Sequence, residues 1–191
     1  MKYKPKKPKP PKATTMRLKD NHTWKAPDGY KIVVMDRGLV SFNIPQDWVV
    51  TDMKPFTVRD APVPDDKAGL QATAFRLPHN VDWSGLPLAP MLLQATNDPK
   101  TYQTLARSEL IRDARTDIEL VWIEDRFLDP KEKREAYSRN AVARGFDVQV
   151  LLTLSYWVED ESWCTPVWEE ALRSLQLGRV IADPLKGETL H

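Results

Sequence analysis

The sequence holds a single cysteine, three histidines and seven scattered glycines in 191 residues, and it has no long apolar run. Each shortage removes a class of protein. One cysteine, Cys164, cannot close an internal disulfide, so nothing here supports a bridged, secreted scaffold. The glycines gather into no phosphate-cradling loop. A membrane-spanning helix needs roughly 20 consecutive apolar residues, and every uncharged stretch is shorter than that or broken by polar residues and proline. The chain therefore reads as soluble or peripheral. Its basic amino terminus has no apolar stretch behind it, unlike a secretory signal, which favours a cytoplasmic location.

What is present begins with an uneven distribution of charge. The formal net charge is +1, but the opening "MKYKPKKPKPPK" carries Lys2, Lys4, Lys6, Lys7, Lys9 and Lys12 with no acid, leaving 22 basic against 27 acidic residues in 13–191. A cationic tail precedes an acidic body. Prolines at 5, 8, 10 and 11 remove backbone donors and favour extended polyproline II, and the tail offers almost nothing to bury. Residues 1–13 are expected to be disordered, 14–183 to form one domain and 184–191 to be a flexible end. Ammonium groups on such a strand suit an acidic protein surface, anionic lipid headgroups or nucleic-acid phosphates. The absence of arginine from the tail argues against bidentate base reading.

Strand signals dominate from residue 31. "KIVVM" leads through Asp36-Arg37-Gly38 into Val40, Phe42 and Ile44, with Ser41 and Asn43 pointing the other way, which predicts a half-buried antiparallel strand. Pro45 suits the second position of a type I turn closed by Asp47, so the chain turns a corner that the Trp48 indole plugs. "GLQATAFRL" (69–77) alternates again. Runs at 117–128, 134–144 and 147–158 then predict a three-stranded meander. In the last run Val148, Val150, Leu152, Leu154 and Tyr156 share a face while Leu151 and Trp157 cover part of the other, as a central strand requires.

Two helices are expected. Asp98 and Pro99 open one that carries Tyr102, Leu105, Ala106 and Leu110 at helical spacing, with Arg107, Arg112 and Arg115 turned mostly outward. Thr165 caps the second, Pro166 starts it, and Trp168, Ala171, Leu172 and Leu175 form its buried stripe before Gly178 ends it. Between strand and first helix, residues 77–99 combine four prolines with Val81, Trp83, Leu86, Leu88, Met91, Leu92 and Leu93. This segment is either a lid over one end of the core, with a short helix at 90–96, or an apolar surface facing a partner.

Candidates for chemistry are sparse. Cys164 stands just ahead of the second expected helix, where amide ends and dipole would lower a thiol pKa, but no histidine lies beside it in a recognisable nucleophile signature. His79 and Asp82 are three apart and lack further ligands at a familiar spacing. Glu124 with Asp125, and Glu159 to Glu161, are expected at strand ends facing water. The seven tryptophans lie mostly among aliphatics at strand or helix period, which suits core packing better than a stacking platform.

The order of a strand entering "FNIPQDW", a corner, further strands, a helix, a meander ending in "VLLTLSYWV" and a closing "WEEALRSLQLG" helix resembles the PsbP/Mog1/DcrB-like group. The resemblance covers roughly residues 30–178 in layout. It implies an α+β fold, an antiparallel sheet flanked by helices in an α/β/α sandwich, and by analogy a protein that binds other proteins. The leading expectation is a non-catalytic module, an accessory subunit or chaperone, whose lysine tail anchors it electrostatically while Trp83, Leu86, Leu88 and Met91 make apolar contact. Its partner would be another protein or a multi-subunit complex, with the tail also suited to an anionic membrane surface. Two alternatives stand beside it: a hydrolase or thiol enzyme using Cys164 or His79, and a protein attached to nucleic acid through the tail. No cofactor or metal is expected.

Overall fold

The alternating runs become strands in the computed structural model, which describes residues 24–83, 86–96, 103–113, 115–183 and 188–190. In chain order the elements are β1 (Tyr30–Met35), β2 (Val40–Pro45), β3 (Val49–Met53), β4 (Phe56–Arg59), β5 (Ala68–Arg76), α1 (Leu88–Thr96), β6 (Gln103–Arg107), β7 (Ile111–Asp113), β8 (Glu119–Leu128), β9 (Glu135–Gly145), β10 (Val148–Trp157), α2 (Glu161–Ser174), β11 (Gln176–Leu177), β12 (Val180–Asp183) and β13 (Glu188–Leu190). Single 3-10 turns lie at Asp36–Gly38 and Val158–Asp160. The tail residues Lys2, Lys4, Lys6, Lys7, Lys9 and Lys12, and most of the expected flexible end, lie outside the described residues; within that end, β13 pairs with β12.

One sheet dominates, in the order β3-β4-β5-β10-β9-β8-β6, with β7 also on β8 and antiparallel pairing throughout. The expected meander is β8, β9 and β10, and β10 is central, between β5 and β9. A second, three-stranded sheet has the order β1-β2-β11. Together with α2 it covers the inner face of the large sheet, where Leu70, Leu120, Leu152 and Leu154 meet Val40, Phe42, Ile44, Trp168 and Leu175 in the main core. α1 packs on the outer face, burying Leu88 and Leu92 against Val121, Ile123 and Val142. Helices on both faces of an antiparallel sheet make the α+β, α/β/α arrangement.

The Pro45 corner carries the chain from the small sheet to the large one. Trp48 donates its backbone N–H to the Pro45 carbonyl at 3.2 Å, so Pro45 opens the turn instead of taking its second position. Trp48 is buried and meets Trp163 edge to face, with centroids 6.4 Å apart. β2 is buried on both faces, with Val40, Phe42 and Ile44 in the main core and the Asn43 amide on the other side held by Lys25 and α2. On its second face the Asn43 N–H donates to Ser174 Oγ at 2.8 Å and the Asn43 amide to Glu170 Oε1 at 2.7 Å, which ties β2 to α2.

Two expectations are corrected. Residues 103–107 are not helical: they form β6, an exposed edge strand paired with β8. The spacing of Leu105, Ala106 and Leu110 suited a helix, but pairing with β8 satisfies this backbone and lets Arg107 reach a buried carboxylate. The first helix is the short one expected at 90–96 in the proline-rich segment, and it spans Leu88–Thr96. Pro90 is its third residue, where a missing N–H costs nothing. The second helix begins at Glu161, four residues before Thr165, and holds Pro166 inside it.

Candidate functional site

Side chains alternate across the large sheet, so the strands that build the core also build its outer face. Phe75, Thr73 and Gln71 of β5 stand beside Gln149, Leu151 and Thr153 of β10, and Leu151, Thr153 and Ser155 beside Val142, Asn140 and Ser138 of β9. α1 covers only the β8–β9 half. Met91 and Leu151 are half-buried at its margin. Beyond them the floor is polar: Thr153 donates to Asn140 Oδ1 at 3.0 Å, and Asn140 donates to Ser138 Oγ at 3.1 Å. At the far end a cavity of ≈ 290 Å³ is lined by Thr57, Arg59, Gln71, Phe127, Ser155 and Trp157, among others.

α1 is held in place by a charge pair inside the protein. The Asp125 carboxylate of β8 is completely buried and receives two hydrogen bonds from Arg107 of β6, at 2.6 and 3.0 Å. The same guanidinium donates to the Thr96 carbonyl at 3.2 Å, at the helix C-terminus, where a cation complements the helix dipole. Glu124 likewise faces inward and accepts from Arg139 at 2.5 Å. Arg139 lies between the rings of Trp122 and Tyr156, at 6.0 and 5.4 Å from their centroids. The expectation that Glu124 and Asp125 meet water at a strand end is therefore overturned, since both fall within β8. The signal available in the sequence was the pair of arginines, at 107 and 139, but nothing in their spacing shows which strands become neighbours.

The four apolar residues expected to face a partner divide. Leu86 is exposed, Met91 is half-buried at the open margin, and Trp83 is half-buried with its indole N–H donating to the Pro78 carbonyl at 3.1 Å. Leu88 is fully buried under α1, because that position faces Val121 and Ile123, and it cannot meet a partner. Leu93 and Val81, not among those four, are exposed. Met91 therefore borders the open sheet face, with the exposed Val81 and Leu86 in the segment that leads to α1, while Leu93, about 200° around the helix from Met91, lies on the opposite flank.

The residues of the enzyme alternative are far apart. Cys164 lies within α2, not ahead of it, in the main core. Burial pushes its thiol up to about 12, with Asp160 and Asp60 adding to the effect, the reverse of the lowering expected at a helix start. His79 is exposed at the opposite end of the sheet, its Nδ1 2.5 Å from Asp147 Oδ2 in the turn before β10. Between that turn and Tyr156, the β10 residue whose phenol Cys164 influences, β10 advances about 30 Å. Among the described residues no group of three His, Cys, Asp or Glu side chains gathers as a metal site. No helix among them is long and apolar enough to cross a membrane.

This layout, a corner-linked pair of antiparallel sheets with a helix on each face, is the fold of the PsbP/Mog1-like group. The solution structure of cyanobacterial PsbP (CyanoP) from Synechocystis sp. PCC 6803 matches with a TM-score of 0.58 at 11% identity, covering 80% of this chain and 95% of that one. The Ran-binding protein Mog1p of Saccharomyces cerevisiae matches at 0.46 and 10% identity, covering 78% and 95%. At 11% identity the likeness to CyanoP concerns fold alone, and the Mog1p match adds no argument to it. The sequence itself is more specific: the profile of the Alr1449 family matches residues 31–181. The protein alr1449 of Nostoc sp. (strain PCC 7120) is 40% identical over 175 residues, 91% of this chain and 90% of that protein. The chain belongs to the Alr1449 family.

Proposed function

We propose that the protein is a non-catalytic protein-binding module, an accessory component of a larger assembly in the cytoplasm, that docks its partner on the open outer face beside α1. The observation that carries this reading is the uncovered half of that face. Phe75 is exposed within it, Met91 is half-buried at its margin, and Val81 and Leu86 are exposed in the segment that leads from β5 to α1. Apolar burial there would supply lasting affinity at about 25 cal/mol per Å², while the lysine tail speeds and orients encounter. The burial of Cys164 in the main core and its separation from the exposed His79 support a non-catalytic reading.

The test is retention of the partner that co-purifies with the full chain. Phe75→Ser combined with Leu86→Glu should release it with an unchanged unfolding midpoint, because both residues are exposed. Deleting residues 1–12 should weaken the complex most at low salt. Retention after the double substitution, or a chain that co-purifies with nothing, contradicts the reading.

A further inference from the structure

We propose that the cavity at the Trp157 end of the outer face binds one uncharged, hydroxylated ring, a sugar unit. Strand pairing brings Arg59, Gly69 and Ser155 into one row across the sheet, and Trp157, Ala136 and Phe127 into the next row on the same face. Small residues in these rows lie between large ones, which leaves a hollow. Gly69 also gives the Arg59 side chain room to reach Asp66: a Cβ at Gly69 would stand 3.3 Å from Arg59 Nη1, the atom that pairs with that carboxylate. The hollow holds ≈ 290 Å³. Small-molecule pockets run from about 300 to 1,000 Å³, so this one admits a single ring.

The lining disfavours a charged ligand. Its two cations, Arg59 and Lys67, are matched by its two anions, Asp66 and Asp129. Each is already engaged: Arg59 pairs with Asp66, Asp129 accepts the Lys131 and Glu132 N–H groups at 2.9 and 2.7 Å, and Lys67 acts on the Glu159 carboxylate. What the cavity offers instead is neutral hydrogen bonding. The Ser155 hydroxyl and the Gln71 amide line it without a hydrogen-bond partner among the described residues, and Thr153, which donates to Asn140, keeps its oxygen as an acceptor. Trp157 and Phe127 supply the apolar side. Arg134 stacks over the Trp157 ring, 4.3 Å from its centroid, and pairs with Glu159, which holds the indole in place. A pyranose shows the same division, with hydroxyls around its edge and a C–H face that rests on an aromatic ring. Gly69 lies about 20 Å along β5 from Phe75, so this site is independent of the docking surface beside α1.

The experiment is a heteronuclear NMR titration of the full chain with glucose, galactose and mannose. At least one should bind with a dissociation constant of about 1–10 mM and shift the Gly69, Gln71 and Ser155 amides and the Trp157 indole N–H. Maltose, lactose and mannobiose end in the same three rings and separate the two sources of such a ring. Weaker binding than the monosaccharide marks a free sugar, and equal or tighter binding marks the end of a glycan. Ser155→Val fills the hollow with a residue that suits a strand, so it should melt no lower than the native chain while binding about tenfold more weakly. Gln71→Leu keeps the shape but removes an exposed amide, and should weaken binding about fivefold. The absence of any shift at these residues overturns the proposal, as does native-strength binding by Ser155→Val, or adenosine or inorganic phosphate binding there in place of the sugars. Phe75→Ser with Leu86→Glu should leave sugar binding intact, so this site and the docking surface fail separately.

Discussion

Cys164 and Tyr156 keep their protons because burial penalises their charged forms. The Cys164 thiol is raised from 9.0 to about 12, and the Tyr156 phenol is raised well above its ordinary 10.0 by burial, against the opposing pull of Arg139. In each case the folded state holds a proton that the unfolded chain releases. Their stabilisation is therefore complete below the unfolded pKa and is lost as pH rises toward the folded one. The unfolding midpoint should fall from about pH 9 upward, and Cys164→Ala should flatten the fall between pH 9 and 10, before tyrosine ionises. Urea titrations across this range would show it, and an identical slope in both proteins would contradict the account. The same burial predicts slow alkylation of the native thiol.

At the scale of elements, Arg107 joins α1, β6 and β8 through Thr96 and Asp125. Arg107→Met leaves a buried carboxylate without its cation, a change that costs about 3–5 kcal/mol, whereas adding Asp125→Leu removes the stranded charge and should restore most of the loss. Chemical denaturation of the single and double variants measures the difference. This contact also marks the limit of what the sequence discloses. β8, β9 and β10 were legible because each carries a long period-two run with a face in the main core. β6 was not, because an exposed edge strand has no buried face to pattern it, and Leu105, Ala106 and Leu110 fell by chance at helical spacing. The α2 start was misplaced because Thr165-Pro166 imitates a helix opening, while the true first turn follows directly from the 3-10 turn after β10. Which leucine of 88, 92 and 93 faces the sheet depends on the helix phase, and that phase is fixed by packing on β8 and β9.

The whole molecule sets a well-filled inner core against a half-covered outer face. Two helices and a small sheet screen the large sheet, yet α1 spans only its β8–β9 side and leaves β5 and β10 open beside it. The buried Arg107–Asp125 pair holds the C-terminus of α1, and with it the border of the open face. The tail contributes charge, and the border contributes apolar area. Both reside on one chain whose nucleophilic side chain lies in the core. The most direct test is hydrogen exchange of the full chain, alone and with its co-purified partner. The account predicts added protection over residues 78–96 and at the Phe75 end of β5, with α2 unchanged. Protection confined to α2 and the small sheet would contradict it.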